Sequence, residues 1–381
     1  MATILLSEEK QQILNVVKDF CKKEIAPVAM ELEHADEYPH DIVEKMKELG
    51  FFGFTIPEEF GGIGLDYVTY SLVIEEITRY WMSVSGILNS HLIMAHIVEK
   101  YGTKEQKDHY LPKFATGELR GGLALSEADA GTDIQNIATK AVLQSERYVI
   151  NGTKMWITNA RYGNTFILAA KTDLQVTPRY KGISLFIAEK GDGFLYKRHR
   201  QTWLQRNDVN SVELRSAKGS TNWSERGVGF KQVLGGLELG RVNVAARGVG
   251  LARASFEDSI KYTQERKTFG KPIGEHQAIQ LKLAEMGTRL EAARLLTQNA
   301  AQKLQNGERS DLEAGMAKLY ATEAGFKNAE EAMRIHGGYG YTKEFAVERY
   351  YRDAPLMLIG EGTNELQKII ISKSLTEKYK I

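Results

Sequence analysis

Apolar residues at Ile13, Val16, Val17 and Phe20 recur at steps of three and four, which predicts a helix with one apolar stripe. Ser7 stands at the N-cap of that helix, and Glu8 and Glu9 put carboxylates in its first turn, against the positive end of the dipole. Residues 57–66, PEEFGGIGLD, interrupt the pattern with turn residues. Helical periodicity resumes over 67–99 and again around 105–114. From about residue 120 the texture changes to short β-branched and aromatic runs. Residues 148–150 and 154–158 flank Asn151-Gly152, a dipeptide that predicts a tight hairpin turn. Residues 165–170 and 183–188 read as two further strands. Beyond about residue 232 the helical period returns: Ile279, Leu283, Met286, Leu290 and Ala293 form the seam of a long helix in a bundle. Ser310 with Glu313 reads as a capping box opening a helix that carries Leu312, Met316 and Leu319. The chain is therefore an α+β protein, with a helical domain over 1–119, a β domain over 120–231 and a second helical domain over 232–381. One stretch fits neither period: 197–226, KRHRQTWLQRNDVNSVELRSAKGSTNWSER, reads as an exposed polar excursion from the β domain.

Composition narrows the field. A chain of 381 residues is long enough for two or three domains and a large core. Fifty Lys and Arg against 49 Asp and Glu leave +1, so no overall field recruits nucleic acid or an anionic membrane. The single cysteine, Cys21, excludes an internal disulfide and any thiolate-built zinc or iron–sulfur site, and points to a reducing compartment. The start, MATILLSEEKQQ, has the character of neither a secretory signal nor a transit peptide. No run approaches the roughly 18 apolar residues of a membrane span. The expected address is the bacterial cytoplasm, or the mitochondrial matrix if a transit peptide has been removed.

Several familiar chemistries are missing. His91 and His96, five apart, point to different sides of a helix and do not form a metal pair. There is no nucleophile elbow and no Walker loop. HGGYGY, residues 336–341, follows a helical pattern where a Rossmann motif needs a strand, and by spacing alone it is a helix end with glycine turn chemistry. By residue type alone Glu361, between two glycines, is a surface turn; Trp156 is strand core; Arg266 is solvated; Glu238 and Arg241 are a charge pair on a helix surface.

Four blocks taken together alter that reading: LALSEADAGTD at 123–133, MWITN at 155–159, ERKTFGK at 265–271, and IHGGYGYTKEFAVERYYRDAPLMLIGEGTNELQ at 335–367. Their order and spacing across nearly the whole chain resemble the acyl-CoA dehydrogenase family of FAD flavoproteins. The resemblance implies a C-terminal four-helix bundle and a flavin held by Leu123, Leu125, Ser126, Thr132, Trp156 and Thr158. It further implies that Arg266, Phe269, Gln277, Arg334, Gly337 and Gly338 meet a flavin bound mainly by a neighbouring subunit, with Thr363 and Glu365 also on the cofactor. Thr132, Glu238, Arg241 and Gly362 would contact the acyl-CoA. Glu361 would be the catalytic base in α,β-dehydrogenation of an acyl-CoA thioester, since Gly240, where some relatives carry the base, cannot serve. Electrons would pass to an electron-transferring flavoprotein, and the protein would be a homo-oligomer, a dimer of dimers in the usual family arrangement.

The chain also departs from the family. Many relatives have Tyr before the base, whereas Gly360 stands here, which implies an acyl pocket open to branched or bulky groups. Arg334 stands where relatives often have Gln. Between 197 and 226 the family's Leu-Gly and Val-Pro motifs are absent, yet shifting the reading frame by one nucleotide recovers both: ACT TGG CTA CAA AGG, one coding of residues 202–206, contains codons for Leu-Gly-Tyr-Lys, and a coding of 216–223 contains Val-Pro-Lys-Asp-Gln-Leu-Ile-Gly. This segment is therefore expected to be read, or to have evolved, in a displaced frame. Two competing readings keep the fold: a non-catalytic flavin-binding or assembly protein, and an acyl-CoA oxidase. Retention of Glu361 disfavours the first, and oxygen consumption separates the second.

Overall fold

The computed structural model describes residues 6–145, 147–197, 210–219 and 227–380. The chain forms two compact units, one built from residues 1–31, 66–85 and 241–381, the other from 32–65 and 86–240.

The first unit is helical. It contains α1 (Glu8–Phe20), α4 (Tyr67–Tyr80), most of α7 (Gly229–Glu265), α8 (Gln277–Gln305), α9 (Asp311–His336), α10 (Val347–Ile359) and α11 (Asn364–Lys378). Ser7 caps α1 as expected, and Asp66 caps α4 by accepting from the amides of Val68 and Thr69 at 3.0 and 2.9 Å. The stripe of α1 is Leu14, Val17, Phe20 and Cys21, and Val16 lies half exposed. Residue 16 falls about 200° round the helix from Leu14, so only one of the two can face inward. The expected capping box at Ser310 is absent: its side chain makes no cap bond, and Glu313 pairs with Lys303 at 2.7 Å. On α9 the buried face is small, with Ala314, Ala317, Ala321, Gly325 and Ala329, whereas Leu312, Met316 and Leu319 are half-buried. The reason is backbone approach. A Cβ on Gly248 of α7 would sit 2.6 Å from the Ala321 carbonyl oxygen, and one on Gly325 would sit 2.9 Å from that of Gly248. The core of the unit joins Leu251, Met286, Ile335, Val347 and Tyr350. Beside it the buried carboxylates of Glu75 and Glu76 are answered by Arg294 and Arg253 at 2.8 and 2.7 Å.

The second unit holds α3 (His40–Glu48), most of α5 (Met82–Tyr101), α6 (Lys104–Thr116) and a sheet. Helix α2 (Ala29–Ala35) spans the division. The helical period read over 67–99 is broken at Trp81, whose backbone is extended. The strands are β1 (Gly121–Ala124), β2 (Lys140–Gln144), β3 (Arg147–Ile157), β4 (Thr165–Lys171), β5 (Ile183–Glu189), β6 (Phe194–Lys197) and β7 (Asn210–Gly219). Their order is β1-β4-β2-β3-β7-β6, with β5 antiparallel on β4 and β1 parallel to it. β4 is buried on both faces, and the alternation of the pleat divides its side chains. Ile167 and Ala169 join Ile93, Leu111, Phe114 and Val233, while Phe166, Leu168 and Ala170 join Tyr148, Ile150, Val212 and Leu214.

Two expectations are corrected here. Asn151-Gly152 is not a turn, because β3 continues through it. In the β2–β3 register Gln144 stands opposite Arg147, so the two strands of the hairpin meet there instead. Gly152 is glycine for closeness, since a Cβ there would lie 2.3 Å from the Thr139 hydroxyl, at a shift in the β3–β7 register. The polar excursion contains a strand: β7 pairs along β3 and β6, burying Val212 and Leu214. The first recoded window, 202–206, lies outside the described residues, as do 220–223 of the second. A short hairpin, β8 (Lys267–Thr268) with β9 (Lys271–Pro272), follows α7.

Candidate active site

In the sheet-bearing unit, a buried ion pair organises the segment after β1. Lys154 of β3, fully buried, donates to the Glu127 carboxylate at 2.8 Å and to the Leu125 carbonyl at 3.0 Å. Glu127 also accepts from the Thr139 amide at 3.0 Å, the Thr139 hydroxyl at 2.6 Å and the Ala138 amide. Burial would raise the Glu127 carboxyl, but Lys154 and these donors together hold it below the ordinary range. Lys154 loses more by burial than Glu127 returns, and its ammonium titrates at about 8. The Met155 amide donates to the Ser126 carbonyl at 2.8 Å, so residues 125–127 are pinned against 154–155. The next residue, Trp156, has φ +61° and leaves 55% of its surface exposed. A bulky side chain in left-handed backbone is held there only by its surroundings, and such strain gathers at functional sites. Asn159, at φ +64°, secures the turn by donating to the carbonyls of Ile87 and Gly121 at 3.1 and 2.8 Å. Thr158 and Ser126 are half-buried, Leu125 is buried, Leu123 packs on the core, and Thr132 is exposed. Glu238, on α7 in this unit, is half-buried; together with burial, its charge raises the Tyr101 hydroxyl.

In the helical unit, Glu361 lies in the link between α10 and α11. Helix α10 closes with the Gly360 amide on the Leu356 carbonyl at 2.8 Å, and Thr363 caps α11 by accepting from the Leu366 amide at 3.2 Å. Between them Glu361 has φ +54° and Gly362 φ +88°. Gln367, fully buried, donates to the Gly362 carbonyl at 3.4 Å. Two buried cations act on Glu361. Burial lowers Lys318 of α9 to about 8 against the opposing pull of Glu361 and Glu365, and lowers Arg247 of α7 to about 10 against Asp353, Glu361 and Tyr70. The Nε and Nη2 groups of Arg247 have no hydrogen-bond partner among the described residues. Asn243, one turn before Arg247, donates to the Tyr70 hydroxyl at 2.6 Å. Arg241 is buried, Gly362 and Thr363 are half-buried and Glu365 is exposed.

A second group of side chains in this unit stands outward. Phe269 is 97% exposed with φ +50°, its ring edge-on to His276 at 6.0 Å, next to Gln277, the exposed first residue of α8. The Arg266 guanidinium lies 5.9 Å from the Tyr339 ring centre, adjoining Gly337 and Gly338. Gly337 has φ +60°, and nothing lies within 4 Å of where a Cβ would stand on either glycine. Arg334 is exposed and paired with Glu330 at 2.6 Å. Thus Arg266, Phe269 and Gln277 share one hairpin region with the 337–341 turn, and Glu361, Arg241 and Glu365 share another locus.

Sequence reasoning overlooked Lys318, Arg247 and the Lys154–Glu127 pair. Their one legible signal is a charged residue on a stripe of apolar or small neighbours, as Lys318 is among Ala314, Ala317 and Ala321.

Comparison with known proteins agrees with this architecture. Family models described as acyl-CoA dehydrogenase N-terminal, middle and C-terminal domains match residues 7–118, 122–216 and 227–376. The chain is 37% identical to a 3-(aryl)acrylate reductase of Clostridium sporogenes, covering 98% of this chain and 100% of that one. It is also 37% identical to the caffeyl-CoA reductase-Etf complex subunit CarC of Acetobacterium woodii, over 98% and 99% of the two chains. The structure of butyryl-CoA dehydrogenase from Megasphaera elsdenii superposes with a TM-score of 0.94 at 33% identity, over 98% and 99%. No helix among the described residues is long and apolar enough to cross a membrane. The chain belongs to the acyl-CoA dehydrogenase family of FAD-dependent oxidoreductases.

Proposed function

We propose that this protein catalyses α,β-dehydrogenation of an acyl-CoA thioester with Glu361 as the base that removes the α-proton. The observation that carries the reading is the conformation of Glu361: a carboxylate in left-handed backbone between two glycines, within electrostatic reach of two buried cations. Left-handed backbone costs a non-glycine residue of order 1–3 kcal/mol, and such strain gathers at functional sites.

An α-proton of a thioester is a far weaker acid than a carboxylic acid, so the site must close a large gap. The nearby cations favour the ionised form of Glu361 before substrate arrives. Displacement of water by the acyl group then strengthens it as a base. The Glu361 amide is the donor for the thioester oxygen as enolate charge grows.

FAD fits the residues present. A flat ring system needs an exposed aromatic wall, which Trp156 supplies on the sheet-bearing unit. When bound, FAD supplies the acceptor for the β-hydride. Leu123, Leu125, Ser126, Thr132, Trp156 and Thr158 hold it on the sheet-bearing unit, with Thr363 and Glu365 from the link into α11. Arg266, Phe269, Gln277, Arg334, Gly337 and Gly338 reach the FAD of a second copy. Support for a second copy comes from Phe269, whose ring is 97% exposed on a left-handed backbone. Thr132, Glu238, Arg241 and Gly362 bind the CoA thioester. An electron-transferring flavoprotein is the proposed acceptor, supported by the relative named as a subunit of an Etf complex. The acyl group is branched or otherwise bulky, because Gly360 leaves out a side chain that its backbone could carry, and two relatives are named for aryl acrylate and caffeyl-CoA.

The test is anaerobic bleaching of the yellow protein by isobutyryl-CoA or a cyclic acyl-CoA. Wild type bleaches, while Glu361→Gln, folded and yellow, bleaches about 10²- to 10⁴-fold more slowly. Undiminished bleaching by Glu361→Gln refutes the assignment.

A further inference from the structure

The link that carries Glu361 is fastened at both ends to one lysine. Lys318 is fully buried on α9. Its ammonium donates to the Leu358 carbonyl at 3.2 Å and to the Asn364 side-chain oxygen at 2.8 Å. Leu358 lies in the last turn of α10, where carbonyls have no partner within the helix. Asn364, itself buried, opens α11, and it also bonds the Thr322 hydroxyl at 3.1 Å and the Glu323 carboxylate at 3.0 Å. Residues 358 and 364 are thus docked on little more than one turn of α9, and the five residues between them must fold back in that fixed span. The left-handed conformation of Glu361 falls at the middle of this link.

We propose that Lys318 is a positioning residue for Glu361, clamping the end of α10 to the start of α11 while its positive charge acts on the carboxylate. The inference rests on the reading of Glu361 as the base. The charged groups acting on Lys318 are Glu361, Glu365 and Glu323, which favour its ammonium form, and Arg241, which opposes it. Burial works against the charge and brings the ammonium down to about 8, while the three carboxylates pull the other way. The same ammonium therefore has two effects: geometry through the two hydrogen bonds, and ionisation of Glu361 through its charge.

The two effects separate in variants. In Lys318→Met both are lost. The anaerobic bleaching rate per bound flavin falls about 10- to 100-fold, the cost of a misplaced reacting group. The acid-side midpoint of that rate moves to higher pH, because Glu361 has lost a neighbouring cation. Lys318→Gln keeps a donor without the charge, and is expected to give the same shift of midpoint with a smaller loss of rate. A purely structural role would lower melting temperature and flavin content while leaving both the rate per flavin and its midpoint at wild-type values, and that result overturns the proposal. Glu361→Gln is run in parallel. If it bleaches normally, the reading of Glu361 is at fault. If it is inert while both Lys318 variants match wild type in rate and midpoint, only the clamp is refuted.

Discussion

Replacing Lys154 by Met takes the ammonium from a fully buried pair and leaves Glu127 a carboxylate with no counter-charge. The pair is 2.8 Å long, its lysine has no exposed surface, and the carboxylate is 8% exposed. Breaking such a pair from one side costs about 3–5 kcal/mol, because the remaining charge stays buried. At about 2–4 °C per kcal/mol for a unit of this size, the melting transition of the sheet-bearing unit drops by roughly 10 °C. The double variant Lys154→Met with Glu127→Gln recovers part of that loss, since no charge is left unpaired. Thermal and urea unfolding of both variants at pH 7 measures the coupling. The sign with pH is also determined. In wild type the Glu127 carboxyl is held below its ordinary range, so its contribution is present above that range and fades as pH falls through the native value. In the single variant, burial without a counter-charge raises the same carboxyl relative to wild type, so the deficit is largest at neutral pH and shrinks toward pH 4. A cost under about 1 kcal/mol for Lys154→Met, or a double variant that merely adds the two losses, would refute the argument. A further consequence is local: the Leu125 carbonyl loses its donor, so a flavin resting on 125–126 binds more weakly in the variant.

Two other outcomes are expected. Gly360 has φ −63° and ψ 152°, which any L-residue adopts, and an added Cβ meets only the Leu356 carbonyl oxygen, at 3.4 Å. Gly360→Tyr should therefore fold as wild type yet shift turnover from a branched or cyclic thioester toward butyryl-CoA by about 10-fold or more; an unchanged ratio of the two substrates in a bleaching assay counts against Gly360 as the gate. Burial lowers His91 and His96 from 6.5 to about 4, so each stays neutral in the fold where the unfolded chain takes up a proton. Stability is full above about 6.5 and falls by roughly 3 kcal/mol per histidine as pH descends to 4; urea midpoints at pH 7, 5.5 and 4.5 measure the slope, which His91→Gln should make shallower.

What the sequence determines by itself is the order of textures and the residues that chemistry needs. A period of 3.6 or 2 is a local property, so the helical, β and helical stretches are legible from spacing, as are the caps at Ser7 and the glycines at 337 and 338. The four blocks are linear strings and could be read as such, which brought Trp156, Arg266 and Glu361 to notice before any fold was known. Local rules failed where distant chain supplied the partner. Asn151-Gly152 has turn chemistry, but β2 and β7 pair along β3 on either side of it and keep the strand going. Ser310 and Glu313 have capping spacing, but Lys303 takes the carboxylate. The polar stretch 197–226 hides a strand because β7 is specified by the strands beside it more than by its own alternation. Lys318, Arg247 and the Lys154–Glu127 pair escaped notice for the same reason. A lysine in a list of residues looks solvated, and only packing removes the water and places it 2.8 Å from Asn364 or Glu127. Burial and charge pairing belong to contacts made far apart along the chain, so the proposed base could be found in the sequence, while the buried cations that act on it were decided by the tertiary structure.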